Sequence, residues 1–314
     1  MRLILCLLAL QLVVAFSGPP TQSQTYTQTT GANWLSALSD DTALQTLHIP
    51  GTHNSAAHHE LILGTAKCQS LSIEQQLQAG VRFFDIRCRH QNDGFELYHG
   101  VVDQKQTFGE LQRTLTDFLK INTRELILIS IQETSQPLNN TRSFSETFLH
   151  YQKLAPELWS TVSTVPTLDQ VRGKAVLVRR FSSPKALGIP ATNWKSGNVH
   201  RTKLLLIQDD FKVRKLETKW ARIEELWKQQ PQHSELLALN FTSGYRPGVL
   251  GVPNITAVSN RINPRLQTKL NSNTAPPPGI LVIDHLTEEL ATAIYQLNLE
   301  TPKPTPGTQV EESK

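Results

Sequence analysis

Short apolar runs of strand length recur along this chain, and amphipathic segments with helical spacing lie between them. Strands that alternate with helices are typical of a mostly parallel sheet whose faces are covered by helices. Eight strand candidates in one continuous region favour an α/β fold with a single domain, an irregular TIM-type (β/α) barrel. The strand candidates span residues 44–49, 81–87, 95–98, 126–131, 175–178, 204–208, 236–240 and 280–283, and the helix candidates span 73–79, 108–120, 216–228 and 287–297.

Local signals fix some of these boundaries. Ser72 and Gln75 have the spacing of a capping box, and Gly80 stands where a helix over 73–79 would end. The turn at residues 91–94, Gln-Asn-Asp-Gly, joins two strand candidates too closely for a helical crossover. The barrel is therefore expected to be irregular at that point.

The two ends of the chain differ from the middle. Residues 1–17 carry one positive charge at Arg2 and then an apolar run with small residues at Ala15 and Ser17, which predicts a secretory signal peptide and an extracellular protein. Residues 18–40, rich in Thr, Gln and Ser up to Gly31, predict a flexible leader, and residues 300–314 predict a disordered tail without a lipid-anchor signal. Residues 41–299 are left for the barrel.

Charge and hydropathy exclude some functions. The formal net charge is only +4, with basic and acidic residues dispersed along the chain, so nucleic acid is not expected as a partner. The apolar run near the N-terminus is shorter than the roughly 20 residues that span a bilayer, and no later run approaches that length. We expect a monomer.

Export would also affect the cysteines and asparagines. Cys68 and Cys88 remain after removal of the signal, and an oxidising compartment predicts that they form a disulfide, with two unpaired thiols as the alternative. Such a bridge would contribute about 3 kcal/mol by closing a short loop. Glycosylation sequons occur at Asn139, Asn240 and Asn254.

The stretch from His48 to His99 contains the residues with catalytic chemistry. His53 follows the first strand candidate in the segment HIPGTHNS, and His99 follows the third in the segment LYHG. Asp85 and Arg87, two residues apart on a strand, point to the same side. Because the carboxyl ends of parallel strands converge on one face of a barrel, these side chains are expected to share a pocket. Two histidines and an arginine fork suit cleavage of a phosphodiester.

The chain also resembles the bacterial-type phosphatidylinositol-specific phospholipases C, from about Leu44 to Leu297. The catalytic segments that carry the resemblance are Ile49–His53, Phe84–Arg87 and His99–Gly100. Further segments resemble the family's substrate-binding strands: 172–181, 207–213, 239–243, 262–264 and 282–284. The resemblance implies a barrel enzyme that acts on a phospholipid at a membrane surface and needs no cofactor, releasing diacylglycerol and inositol 1,2-cyclic phosphate.

The resemblance assigns a role to each catalytic candidate. His53 would take a proton from the inositol 2-hydroxyl, and Asp284 would orient His53 and raise its pKa. His99 would protonate the departing diacylglycerol oxygen. Arg87 would neutralise charge on the phosphate oxygens, and Asp85 would orient Arg87 or His99.

It also implies the residues that bind substrate. Arg180 and Asp209 match positions that hydrogen-bond the inositol ring, and Phe211 stands where the family has a stacking tyrosine. Asn54 replaces an aspartate that supports the acid histidine. Glu133 closes a strand where the family has a lysine that contacts the sugar.

Asn54, Asp85 and Glu133 leave a calcium-dependent alternative open. Calcium-dependent eukaryotic relatives hold the metal with asparagine and acidic residues, and these three residues offer oxygen ligands. Against this, the fixed charge of Arg87 occupies the place of an acidic ligand, which favours a site with no metal.

Two rival functions remain, and a membrane-binding surface is expected. Another phosphodiesterase on the same barrel, of the glycerophosphodiesterase or sphingomyelinase D kind, would depend on a divalent cation. A secreted barrel without activity would bind lipid headgroups or glycans. Apolar candidates for membrane insertion are Leu61–Leu63, Trp194 and 249–250.

Overall fold

The computed structural model describes residues 29–248, 251–272 and 274–299. Its main element is a curled sheet of mostly parallel strands with helices on its outer face. The strands are β1 (His48–Thr52), β2 (Phe83–Gln91), β3 (Gly94–His99), β4 (Val102–Thr107), β5 (Ile127–Glu133), β6 (Trp159–Ser160), β7 (Ala175–Arg179), β8 (Ile189–Pro190), β9 (His200–Arg201), β10 (Leu205–Gln208), β11 (Leu237–Phe241), β12 (Arg246–Pro247), β13 (Pro253–Asn254) and β14 (Gly279–Ile283). The helices are α1 (Ile73–Ala79), α2 (Phe108–Ile121), α3 (Phe144–Leu154), α4 (Leu216–Gln229), α5 (Thr256–Leu270) and α6 (Glu288–Tyr295).

The strand order places the first and last strands, β1 and β14, side by side at the centre of the sheet. It runs β6-β7-β5-β2-β1-β14-β11-β10-β9, and β1 pairs in parallel with both β14 and β2. β3 follows the predicted turn and pairs with β2 in antiparallel fashion, and β4 pairs in the same way with β3. This confirms the irregularity expected there. The α/β barrel-like fold predicted from the alternating pattern is confirmed.

Two apolar layers follow from the two-residue period of the strands. Side chains such as Phe83 and Leu128 face the interior of the curled sheet, whereas Phe84 and Ile129 pack beneath the helices. The predicted capping box of α1 is present, with Ser72 accepting from the backbone of Gln75. The chain ends this helix at Gly80, whose φ of 107° is readily available only to glycine.

The packed region begins earlier than the sequence predicted. Residues 18–40 were predicted to be a flexible leader. Trp34 is fully buried in the interior layer, so the chain from Trp34 onward is part of the packed domain. The buried Arg82 donates to the carbonyls of Gly31 and Ala32 and forms an ion pair with Glu125, also buried, at 2.8 Å. The predicted signal peptide and tail lie outside the described residues.

The sequence pattern did not predict two of the helices, α3 and α5. The segment 262–264, expected to be part of a substrate-binding strand, lies inside α5, which contains Pro264. Because proline usually interrupts a helix, the pattern there did not predict one. In the described parts of the chain, no helix has both the length and the apolar character needed to cross a bilayer.

Candidate active site

A cavity of about 320 Å³ opens at the carboxyl ends of the parallel strands, within the size range of small-molecule sites. Most of the sequence-predicted site residues meet there. Its lining consists of His53, Thr65, Arg87, His99, Gln132, Arg180, Asp209, Phe211, Gly244, Tyr245, Pro253, Ile255 and Asp284.

His53 lies between a carboxylate and a guanidinium group. Its Nδ1 lies 2.7 Å from Oδ1 of Asp284, the residue that follows β14, and its Nε2 lies 2.8 Å from Nη2 of Arg87. The second oxygen of Asp284 accepts from the backbone of Gly244 at 3.0 Å. Burial opposes ionisation of Asp284, yet His53 and this backbone donor hold its pKa below the usual value. A proton on Nδ1, shared with Asp284, leaves Nε2 as an acceptor, which is the state that a general base needs.

Arg87 and Asp85 point to the same side of β2, as predicted from their spacing. Asp85 is fully buried and lies between two guanidinium groups, 3.4 Å from Arg87 and 3.3 Å from Arg180. Burial alone would raise the pKa of Asp85, but the two arginines hold it below its usual range. Nε of Arg87 is buried and has no hydrogen-bond partner in the described structure. An unpaired guanidinium donor beside a cavity is well suited to an anionic ligand.

His99 faces His53 across the site, with 6.4 Å between the ring centroids. Its Nδ1 lies 2.6 Å from the carbonyl oxygen of Ala66, so Nδ1 carries the proton and Nε2 is left for substrate. Burial and then the nearby charge of Arg87 lower the pKa of His99 to about 4. The ring is therefore neutral at pH 7 in the free protein.

The far wall of the cavity combines a carboxylate with two aromatic rings. Asp209, just after β10, accepts from Nε1 of Trp194 at 2.9 Å, and the Trp194 ring stacks on Arg180 at 3.9 Å. Trp194 thus holds the two predicted sugar-binding residues together, and its role in membrane insertion stays a prediction. Phe211 packs near Tyr245, whose ring the sequence gave no reason to place in the site.

Lys219 supports this wall from below. This side chain on α4 is fully buried and donates to the carbonyls of Asp210, just after β10, and Phe241, the last residue of β11. Burial lowers the pKa of Lys219 to about 8. By joining these two chain segments, Lys219 fixes the position of the neighbouring Asp209.

Comparisons with known proteins match this site. Residues 43–181 match the model of the phosphatidylinositol-specific phospholipase C X domain. This segment, which contains His53, Arg87 and His99, is similar to the X domain of that phospholipase family. The chain is similar to a 1-phosphatidylinositol phosphodiesterase of Listeria monocytogenes, 29% identical over 86% of each chain, and to one of Staphylococcus aureus, 26% identical over 81% of this chain and 88% of the relative. A solved structure of a mutant phosphatidylinositol-specific phospholipase C from Staphylococcus aureus shares the fold, with a TM-score of 0.73, 24% identity, and coverage of 84% of this chain and 98% of that one.

Glu133 does not line the cavity, contrary to the sequence prediction. The alternation along β5 turns Gln132 into the cavity and Glu133 to a separate surface pocket beside His90 and Asn140. Burial raises the pKa of Glu133 there. Gln132 is therefore the residue at the family's lysine position, and it offers an amide where a lysine offers a charge.

Asn54 supports the site without lining it. Its backbone has a φ of 44°, which ends β1 with a sharp turn, and its N–H donates to Asp85 at 3.2 Å. The residue is 3% exposed and is not among the residues that line the cavity, so its contact with substrate stays a prediction. Asparagine is among the few residues other than glycine that accept this left-handed conformation.

The calcium ligand set does not assemble. Glu133 faces away from Asp85, which already has two arginines within 3.4 Å. A divalent cation at Asp85 would be repelled by both guanidinium groups. The residues present therefore do not fit the calcium-dependent alternative.

The predicted Cys68–Cys88 disulfide is also absent, because both thiols are free and buried. Cys88 lies on β2 next to Arg87 and therefore points to the opposite face, into the layer beneath the helices. Cys68 packs at the mouth of the barrel with Ala57 and Ile255.

One of the three predicted glycosylation sites is excluded. Asn240 is 1% exposed in β11, where its amide bonds Gln208 and the carbonyl of Ile223. Asn139 and Asn254 are exposed and stay as predictions.

Proposed function

We propose that this chain is a phosphatidylinositol-specific phospholipase C that produces diacylglycerol and inositol 1,2-cyclic phosphate by metal-independent acid–base catalysis. The observation that carries the proposal is the meeting of the Asp284–His53 pair, Arg87 and His99 around one cavity. The 6.4 Å between the ring centroids of His53 and His99 leaves room for a phosphodiester between the two imidazole rings. The relatives are named as phosphodiesterases of the same lipid.

In the proposed reaction the inositol supplies its own nucleophile. Nε2 of His53 removes the proton of the 2-hydroxyl, whose oxygen attacks the phosphorus and closes the cyclic phosphate. Nε2 of His99 gives a proton to the glycerol oxygen as the bond from phosphorus to that oxygen breaks. Arg87 exchanges its contact with His53 for the phosphate oxygens, where charge develops. An attacking group on the same molecule already has a high effective molarity, so proton transfer and charge stabilisation supply the rest.

The side chains around the reacting atoms divide the remaining work. Asp284 keeps His53 in the tautomer of a base, while Asp85 holds Arg87 and Arg180 in place. Asp209 and Gln132 offer hydrogen bonds to ring hydroxyls, and Phe211 with Tyr245 offers an apolar face to the sugar ring. No cofactor has a part in these steps.

The substrate class is tested by measuring release of the water-soluble headgroup from vesicles that contain phosphatidylinositol, phosphatidylcholine, sphingomyelin or a lysophospholipid, each at matched charge. We expect release from phosphatidylinositol alone. Release from the choline lipids would favour another phosphodiesterase on this barrel, and binding of vesicles without release from any lipid would favour an inactive lipid-binding protein.

The pH profile tests the role of His99. In the free enzyme its pKa is about 4, so the acid form becomes scarcer as pH rises above that value and kcat/KM should fall on this limb. The negative phosphodiester, once bound, favours the imidazolium and raises this pKa. The alkaline limb of kcat should therefore lie at higher pH than that of kcat/KM. Coincident limbs, or no change of either limb in His99→Gln, would contradict the assignment.

We propose that the protein is exported and works at a membrane surface, on the basis of its signal-like N-terminus and an exposed apolar loop. Leu61, Ile62 and Leu63 are 84%, 63% and 92% exposed, and Thr65 of the same loop lines the cavity. Insertion of this loop would bring the cavity to the lipid headgroups.

Replacement of Leu61, Ile62 and Leu63 by serine should lower activity on vesicles roughly tenfold or more, because three apolar contacts with the interface are lost. Activity on a monomeric short-chain substrate should stay within a factor of about two of the wild type. Ile121→Ser, at the end of α2 and 83% exposed, is the matched control and should change neither activity. An equal loss on both substrates would rule out membrane insertion.

A further inference from the structure

Next to the catalytic cavity lies one reactive group that the proposed reaction does not use, the buried thiol of Cys68. Its sulfur lies 3.7 Å from Nδ1 of His99 and also forms a hydrogen bond with Asp284. The ligand atoms of His53, Cys68 and Asp284 all lie within 4.8 Å of one another. Among the described residues, these three side chains form the one cluster of histidine, cysteine and carboxylate groups whose spacing suits a metal ion.

We propose that His53, Cys68 and Asp284 form a Zn²⁺ site whose occupation inhibits the enzyme.

The mixture of donors selects zinc over calcium and magnesium. Zinc is held in tetrahedral sites by thiolate, imidazole and carboxylate groups, whereas calcium and magnesium require oxygen ligands. Cys68, the imidazole of His53 and Asp284 provide three donors of the zinc type, and a water molecule would take the fourth position. The Asp284 carboxylate and a Cys68 thiolate would together balance the two charges of the ion.

Access and charge balance are both compatible with this site. His53 and Asp284 line the open cavity, so an ion reaches them from solvent although Cys68 itself is 0% exposed. On binding, the S–H bond of Cys68 breaks, a zinc–sulfur bond forms and the proton passes to water. Arg87, 2.8 Å from Nε2 of His53, repels the ion, and the two negative ligands, Asp284 and the Cys68 thiolate, offset this repulsion.

Occupation of the site stops proton transfer by His53. A zinc ion on Asp284 and His53 replaces the hydrogen bond that keeps His53 in its basic form. The thiol therefore makes this protein sensitive to a metal ion that its reaction does not require. This inference concerns inhibition, and its spectroscopic test below does not depend on the proposed function.

The test uses Co²⁺ as a spectroscopic probe and Zn²⁺ as the inhibitor, on the intact protein. We expect wild type to develop a thiolate-to-cobalt charge-transfer band that zinc abolishes. Zinc should also suppress the phospholipase activity, and EDTA should restore that activity. Calcium and magnesium should have no effect on it. In Cys68→Ala the band should be lost and the zinc concentration for half-inhibition should rise at least about tenfold, relative to the zinc-free rate of the variant itself.

Cys88→Ala is the matched control, since it removes the other buried thiol and should leave the band and the inhibition as in wild type. Thermal unfolding of each variant shows whether it is folded, and Cys68→Ser replaces Cys68→Ala if the latter is not. A wild-type protein without the band, or a Cys68 variant that keeps it, would overturn the zinc site. Because the band is read without substrate, absence of activity on phosphatidylinositol would contradict the proposed function alone.

Discussion

Arg87→Ala is expected to lower kcat by about a thousandfold, because it removes the guanidinium that would meet developing charge on the phosphate. The buried Nε of Arg87 lacks a partner in the described structure, and Nη2 is shared between His53 and Asp85. The loss should therefore appear in kcat more than in KM. Single-turnover rates with monomeric substrate measure the chemical step directly.

Arg87→Lys separates charge from geometry. A lysine restores a positive charge without the planar fork, so it should recover only part of the lost rate. Arg89→Ala is the matched control, because Arg89 lies two residues further along β2 and stacks on Tyr98 at 5.4 Å. If Arg87→Ala stayed within tenfold of wild type while Arg89→Ala did not, the phosphate contact would have been assigned to the wrong arginine.

Loss of the His53 base should have a comparable effect. His53→Ala is expected to lower kcat by about 10²–10⁴-fold, the usual contribution of a general base. Asp284→Asn should be similarly impaired, since an amide can donate to Nδ1 and so favour the wrong tautomer. Steady-state rates at saturating monomeric substrate give both values.

The two substitutions should not be additive. His53 and Asp284 act as one unit at 2.7 Å, so the double variant should be no slower than His53→Ala within about threefold. His58→Ala, which changes a histidine of the neighbouring loop that contacts the carbonyl of Gln69, should retain activity. Additive losses would mean that Asp284 acts on substrate independently of His53.

Prediction from sequence worked where a short-range pattern decides the structure. The strand candidates follow from runs of apolar residues, and the register of Asp85 and Arg87 follows from the two-residue period. The convergence of strand ends correctly placed His53 and Arg87 in one cavity with His99, which arrives on the antiparallel β3, and the family resemblance added Asp284.

Three of the failures share a physical cause, since each depended on the direction of a single side chain. A shift of one residue separates Gln132, which lines the cavity, from Glu133, which does not. The same alternation turns Cys88 away from Cys68, and a sequon in β11 points Asn240 into the core. Trp194 was missed as a bridge between Arg180 and Asp209 because loop residues have no period from which their contacts follow.

The central claim is that the reaction is intramolecular and needs no metal, and phosphorus NMR tests it most directly. Purified protein is incubated with phosphatidylinositol vesicles in excess EDTA and, in parallel, with calcium. We predict the signal of inositol 1,2-cyclic phosphate in EDTA, and its absence with His53→Ala and with His99→Ala. A cyclic product that forms only with calcium, or an acyclic inositol phosphate as the first product, would contradict the account.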